Sequence, residues 1–222
     1  MSPWAQLPES PGRSFLLAAD AFVDLVDRVP DDRWNGPGLG DWDLRALIGH
    51  AARAISTVRE YLAQASTEPP QVVSAAAYFV SARDLLPSAE LNEAVRVRGE
   101  QAGTQLGGDP AGAVRASLHA THRALFERAA ETGEVDLADV VVPTLVGRMR
   151  LFDYLPTRTF ELTVHGFDIA AALGVGVNWP AAALADTLGL VAQIAAGTGQ
   201  GTTLLRAATG RGTLPDGFSV LP

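Results

Sequence analysis

The chain contains no cysteine. That excludes disulfides, thiolate metal ligands and a cysteine nucleophile, so any thiol chemistry requires a thiol cosubstrate. Lysine is lacking where alanine, glycine and arginine abound, a bias of GC-rich coding that says nothing about mechanism. No run of basic residues interrupts a chain of net charge −8 and pI near 4.9, so neither nucleic acid nor an anionic membrane is an expected partner. No apolar stretch reaches the roughly 18 residues of a membrane span. The opening MSPWAQLPESPGRSF has no basic segment followed by an apolar one, so no signal peptide is expected and the cytoplasm is the default location. Internal repeats, low-complexity tracts, a P-loop, a dinucleotide fingerprint and a G-x-S-x-G elbow are absent as well.

What remains is globular. Hydrophobic residues make up 47% and charged residues 19% of 222, enough to bury a sizeable core in one domain or one domain with a small appendage. Ser10 or Ser14 can cap a first helix running to about Val29, with Phe15, Ala18, Phe22, Leu25 and Val26 on its apolar face. A Gly/Pro-rich loop follows over residues 34–41. Asp43 is a good N-cap for a second helix over residues 44–65, whose core face carries Leu44, Leu47, Ile48, Ala51, Ile55, Val58 and Leu62. Residues 66–75 read as a linker. Less regular helical segments cover 76–86 and 89–105, with Pro87 between them. A strong helix runs over 110–132, and its His119 and His122 read as surface or boundary residues. Residues 135–146, β-branched and broken by Pro143, are expected to be a short extended segment or a lead-in to the next helix. That helix starts around residues 151–154, takes Pro156 in its first turn and stops at Gly174. An amphipathic helix over 181–196 and a Gly-rich tail follow, with Leu204, Leu205, Phe218 and Val220 available to pack. The fold class is therefore all-α, a four-helix bundle with long connections.

The helix over residues 158–173 has an unusual wheel. At roughly 100° per residue, Arg158, Glu161, His165 and Asp168 fall within about 80° of one another, in the sector of Tyr154 and Ala172. Phe160, Val164 and Phe167 flank that stripe on one side, and Leu155, Leu162, Ile169 and Leu173 on the other. Charges thus run down the middle of the apolar surface rather than opposite to it. A carboxylate and an imidazole aimed at a core are costly unless paired, hydrogen-bonded or metal-bound. Glu161 and His165, at i and i+4, can reach one point. Two readings stay open from the helix alone, a divalent-metal site and a buried Glu–His hydrogen bond. His50 lies on the rim of the second helix's core face, where it is either a half-buried core residue or a third ligand. A His50–Glu161–His165 set would leave coordination positions open, the pattern of a catalytic site.

The segment DWDLRALIGH, ending at His50, resembles the one that ends in the first metal histidine of the mycothiol-dependent maleylpyruvate isomerases, within the DinB-like metalloprotein superfamily. RTFELTVHGFD, over residues 158–168, resembles their R-x-x-E-x-x-x-H-G-x-D segment, and ATGR at 208–211 a segment near their C-terminus. The resemblance implies a DinB-like metal-binding bundle over residues 1–175, with residues 176–222 as a short C-terminal appendage, a helix and tail packing on it. It implies that His50, Glu161 and His165 ligate a divalent metal, commonly zinc, with mycothiol or a similar thiol as cosubstrate.

A metal with three protein ligands can activate water or a thiol in its open position. Asp168, one turn beyond His165, can orient an imidazole. Arg158, one turn before Glu161, can hold a substrate carboxylate or instead pair with Glu161 or Asp168. Arg53, one turn beyond His50, is a candidate for cofactor or anion binding, or a solvated face residue. Three functions compete: thiol-dependent isomerase or S-transferase, metal-dependent hydrolase, and non-catalytic metal-binding or regulatory bundle. Expected partners are a small-molecule substrate, a thiol and a second copy of the chain.

Overall fold

The first two helices begin where the sequence supplies a cap. Ser10 Oγ accepts the Arg13 amide (3.2 Å) and starts α1, Pro11–Val26. Asp43 Oδ1 accepts the Ala46 amide (2.7 Å) and starts α2, Leu44–Leu62. The computed structural model describes residues 9–83, 88–132 and 137–221. Within them follow α3 (Ala75–Arg83), α4 (Ser88–Gln105), α5 (Pro110–Thr132), β1 (Val141–Thr144), β2 (Gly147–Arg150), α6 (Leu151–Leu173), α7 (Ala181–Gly197) and α8 (Gly201–Ala208). Pro87 and residues 133–136 lie outside the described residues.

The architecture is an all-α, DinB-like bundle. Helices α1, α6, α2 and α5 each touch the next, and α5 closes the ring against α1. Their inward faces carry Phe15, Phe22, Leu47, Ile48, Ile55, Leu118, Tyr154, Leu155 and Leu162, all buried in one core. A buried hydrogen bond from Thr121 Oγ1 to the Ile55 carbonyl (3.1 Å) ties α5 to α2. Outside the ring, α4 packs on α2, and α7 packs on α6, α3 and α1.

Helix α6 is covered on nearly every side. Thr159, Thr163, Gly166 and Ala170, the sector that carries neither charge nor large apolar groups, are buried too. Trp179 closes over them. Its Nε1 donates to Thr163 Oγ1 at 2.9 Å, and a Cβ added at Gly166 would come within 2.4 Å of its ring. Trp179, Ala183, Leu190 and Ile194 thereby join the same core as the bundle. Gly174, at φ 70°, ends α6 in the left-handed conformation that glycine adopts freely.

Three expectations need correction. Pro156 is not in the first turn of α6, because the helix already starts at Leu151 and Pro156 is its sixth residue; there the ring leaves the Phe152 carbonyl without its intrahelical N–H. Of the two readings for the segment before α6 the lead-in fails and the extended one holds, as β1, which forms a hairpin with an unforeseen β2 and pairs Val141 with Arg150. The preceding linker completes it: Ser66 N–H donates to the Val141 carbonyl (2.8 Å), and the Gln71 and Val72 amides share the Arg148 carbonyl. Finally, Leu205 does not pack on the bundle. It is 65% exposed, and α8 buries none of its residues.

Candidate metal centre

Two helices, α6 and α2, build the site, and α3, α4 and the β1–β2 turn help to line the cavity beside it. Helix α6 presents Tyr154, Arg158, Glu161, His165 and Asp168 from successive turns of one stripe. Helix α2 brings His50 against it. The ligand atoms of His50, Glu161 and His165 all lie within 4.8 Å of one another, and no other such trio of His or acidic residues occurs among the described residues. Glu161 Oε2 is 3.4 Å from His165 Nε2 and 3.8 Å from His50 Nε2. The two imidazoles meet edge to face with centroids 4.9 Å apart.

Those N···O separations are long for charge-assisted hydrogen bonds, which settle near 2.7–2.9 Å. They are close to the roughly 3.3 Å between ligand atoms that each sit about 2.0 Å from a tetrahedral ion. The outer nitrogen of His165 is engaged, its Nδ1 lying 3.0 Å from Asp168 Oδ2, which leaves Nε2 facing Glu161. Buried Nδ1 of His50 has no hydrogen-bond partner. Two imidazoles and one carboxylate converging in this way fit a divalent ion as a donor set.

The electrostatics agree with a preformed anionic ligand. Burial alone would raise the Glu161 carboxyl, but the neighbouring imidazoles of His165 and His50 and the charge of Arg158 outweigh it and hold the group below the usual carboxylate range. Burial likewise works against a charge on His165, yet Asp168 and Glu161 together push its pKa up to about 9.

A cavity of about 160 Å³ opens beside the trio, with His50, Glu161, Arg158, Tyr154, Tyr78 and Thr57 on its walls and Arg53, Arg98, Val95 and Leu145 also lining it. Arg158 forms neither of the ion pairs open to it in the sequence: no carboxylate lies within pairing distance among the described residues. Its guanidinium carbon instead sits 4.8 Å from the Tyr154 ring centroid and 5.7 Å from that of Tyr78, and Nε donates to Thr157 Oγ1 at 3.0 Å. Tyr154 donates to Thr57 Oγ1 (3.1 Å), which donates to the Arg53 carbonyl (2.8 Å). Burial raises the pKa of Tyr154 and of Tyr78, so both rings stay neutral under the cation.

The structure therefore gathers His50, Glu161, His165 and Asp168 into one cluster and sets Arg158 in the adjoining cavity. Arg53 is exposed and reaches only the cavity's lining. His119 is exposed and His122 half-buried, both on α5 and apart from the trio. Sequence reasoning passed over Tyr78, Arg98 and the packing of Trp42 on His50. Tyr78 and Arg98 sit on α3 and α4, whose weak periodicity gives no inward face to read, whereas Trp42 stands just before the cap of α2 and off its wheel.

Compared with known protein families, residues 15–170 match the family model described as the mycothiol maleylpyruvate isomerase N-terminal domain. Neither a comparison with curated proteins nor one with solved structures gives a match.

Proposed function

The chain belongs to the mycothiol maleylpyruvate isomerase N-terminal domain family, and from that premise we propose that it is a divalent-metal-dependent enzyme that uses a low-molecular-weight thiol, mycothiol or a close analogue, on a small electrophilic substrate. The observation that carries the reading is the convergence of His50, Glu161 and His165 beside a cavity walled by Arg158, which has no ion-pair partner among the described residues. Zinc suits the donor set. When bound, the ion supplies Lewis acidity that keeps a thiol in its thiolate form near neutral pH.

The chain's own residues do the rest. Asp168 fixes the ring of His165 and directs its Nε2 toward Glu161. Arg158, held over two neutral rings and without a carboxylate partner among the described residues, binds a carboxylate of the substrate. Arg53 and Arg98 add positive charge to the same cavity. In isomerisation the thiol sulfur bonds to one carbon of an activated double bond, the resulting single bond rotates, and the carbon–sulfur bond breaks to return the thiolate. In S-transfer that bond is retained and the carbanion left at the neighbouring carbon takes up a proton from solvent. No described helix is long and apolar enough to cross a membrane. The proposal places the enzyme in the cytoplasm, where a small thiol is kept reduced.

The test is elemental analysis of the purified protein beside His50→Ala and His165→Ala, followed by titration with a low-molecular-weight thiol. About one zinc per chain, lost from both variants while the helical signal persists, and a thiol that binds only the metal-loaded protein, support the reading. Metal retained in His165→Ala overturns the ligand set. Metal without thiol binding points instead to the hydrolase.

A further inference from the structure

The two imidazoles of the trio are oriented by different means. His165 is held through its outer nitrogen by Asp168, at 3.0 Å. An imidazole that ligates a metal is normally steadied in that way, by a hydrogen bond from its second nitrogen. His50 has no such bond, since its Nδ1 is buried and unpartnered. What it has instead is an aromatic neighbour. The ring of Trp42 lies against the His50 ring, with centroids 4.8 Å apart and planes inclined by 35°.

Trp42 is itself fixed by α4. Its indole Nε1 donates to the Arg96 carbonyl at 3.0 Å. Its ring fills the space over Gly99, where an added Cβ would come within 2.5 Å of it. Helix α4 in turn sits hard on α2 next to the ligand, because a Cβ at Gly49 would lie 2.3 Å from the Gly103 amide nitrogen. Backbone contact at Gly49 sets the position of α2 against α4, and the indole, clamped between α4 and the imidazole, sets the rotation of the ring.

We propose that Trp42 is the positioning residue for His50, doing by packing what Asp168 does for His165 by hydrogen bonding. The inference rests on the reading of the trio as a metal site. It makes α4 the support of a ligand that it does not carry.

The test uses Co2+ as the probe on the full chain, read by its visible absorption spectrum and by chelator competition, since the spectrum reports coordination geometry rather than stability. Wild type is expected to take up one Co2+ per chain. Trp42→Leu is expected to bind at least about tenfold more weakly, with shifted bands, the size of effect that loss of a ligand's supporting partner has elsewhere. Trp42→Phe keeps a ring against the imidazole and should restore most of the affinity. Gly99→Ala, which displaces the indole from behind, should shift the bands without altering Trp42 or His50, and it carries the test with Trp42→Phe if the leucine variant does not fold. Folded Trp42→Leu and Gly99→Ala proteins with wild-type affinity and spectrum overturn the inference and leave the metal site standing. A wild type that takes up no Co2+ overturns the metal reading and this inference with it.

Discussion

Asp168 Oδ2 lies 3.0 Å from His165 Nδ1, on the side of the ring away from Glu161. The carboxylate fixes which nitrogen of the imidazole faces Glu161, the one that ligates in the proposed site. It also makes that imidazole more basic, which strengthens it as a donor.

Asp168→Asn keeps the size of the side chain and removes its charge. Zinc affinity should fall by about 10–100-fold, with the helical content unchanged. Chelator competition measures it, and an unaltered affinity would mean that Asp168 only fills space.

The metal-free protein should be less stable in mild alkali. Folding raises the pKa of His165 from 6.5 to about 9, because Asp168 and Glu161 outweigh its burial. A raised pKa stabilises the fold fully below the unfolded value and loses that contribution as pH rises through the folded one. The window is therefore pH 6.5 to about 9, and thermal melts of the metal-free chain at its two ends should differ in that sense. Zinc requires the neutral ring, so its uptake within the window should release a proton. Calorimetry in buffers of different ionisation enthalpy would detect it, and a heat independent of buffer would contradict the prediction.

Arg158→Gln should weaken binding of a small dicarboxylate such as succinate by roughly 10–100-fold. A hydrogen bond to a charged group contributes about 1.5–3 kcal/mol. Arg158→Lys should recover little of it, because an ammonium cannot present the planar fork that lies over Tyr154 and Tyr78. Titration calorimetry of the three proteins decides the matter, and equal affinities would move the carboxylate elsewhere.

Gly49→Ala should destabilise the fold by on the order of 1–3 kcal/mol, since its Cβ meets the backbone of Gly103 rather than a side chain that can move aside. In a chain of this size that is roughly 2–4 °C of Tm for each kcal/mol. Gly189→Ala on α7 meets nothing within 4 Å and should be neutral or stabilising by up to about 1 kcal/mol. Melting the pair side by side separates close helix contact from helix propensity.

Much of this was legible in the sequence, for reasons that differ by element. Helix α2 announces itself by the Asp43 cap and a regular apolar face, and the end of α6 by Gly174. The inward stripe of α6 follows from its wheel, because four groups on one helix need no knowledge of the fold. That His50 faces this stripe does not follow from any wheel, since it depends on how α2 crosses α6; its place on the rim of α2 made it one of two open readings, and the family resemblance chose between them. Strand β2 was missed because only Met149 of its four residues is buried, and because the contacts that complete the hairpin on its Arg148 side come from a linker far earlier in the chain, at Gln71 and Val72. Arg98 was missed because α4 reaches α2 through glycines, and a glycine contact leaves no hydrophobic pattern to read.

Helix α6 carries Tyr154, Arg158, Glu161, His165 and Asp168 on a single rigid rod, and only one member of the cluster, His50, comes from elsewhere. The spacing among the five is thus set by helical pitch alone. Inserting one residue between Arg158 and Asp168 would swing everything beyond it by about 100° and scatter the set. Drift in the surrounding helices can alter the approach of α2 to α6 and, with Trp42 in the positioning role proposed above, the turn of the His50 ring. The centre therefore moves in few ways, by the crossing of two helices and the turn of one ring, while the five groups on α6 travel as one body.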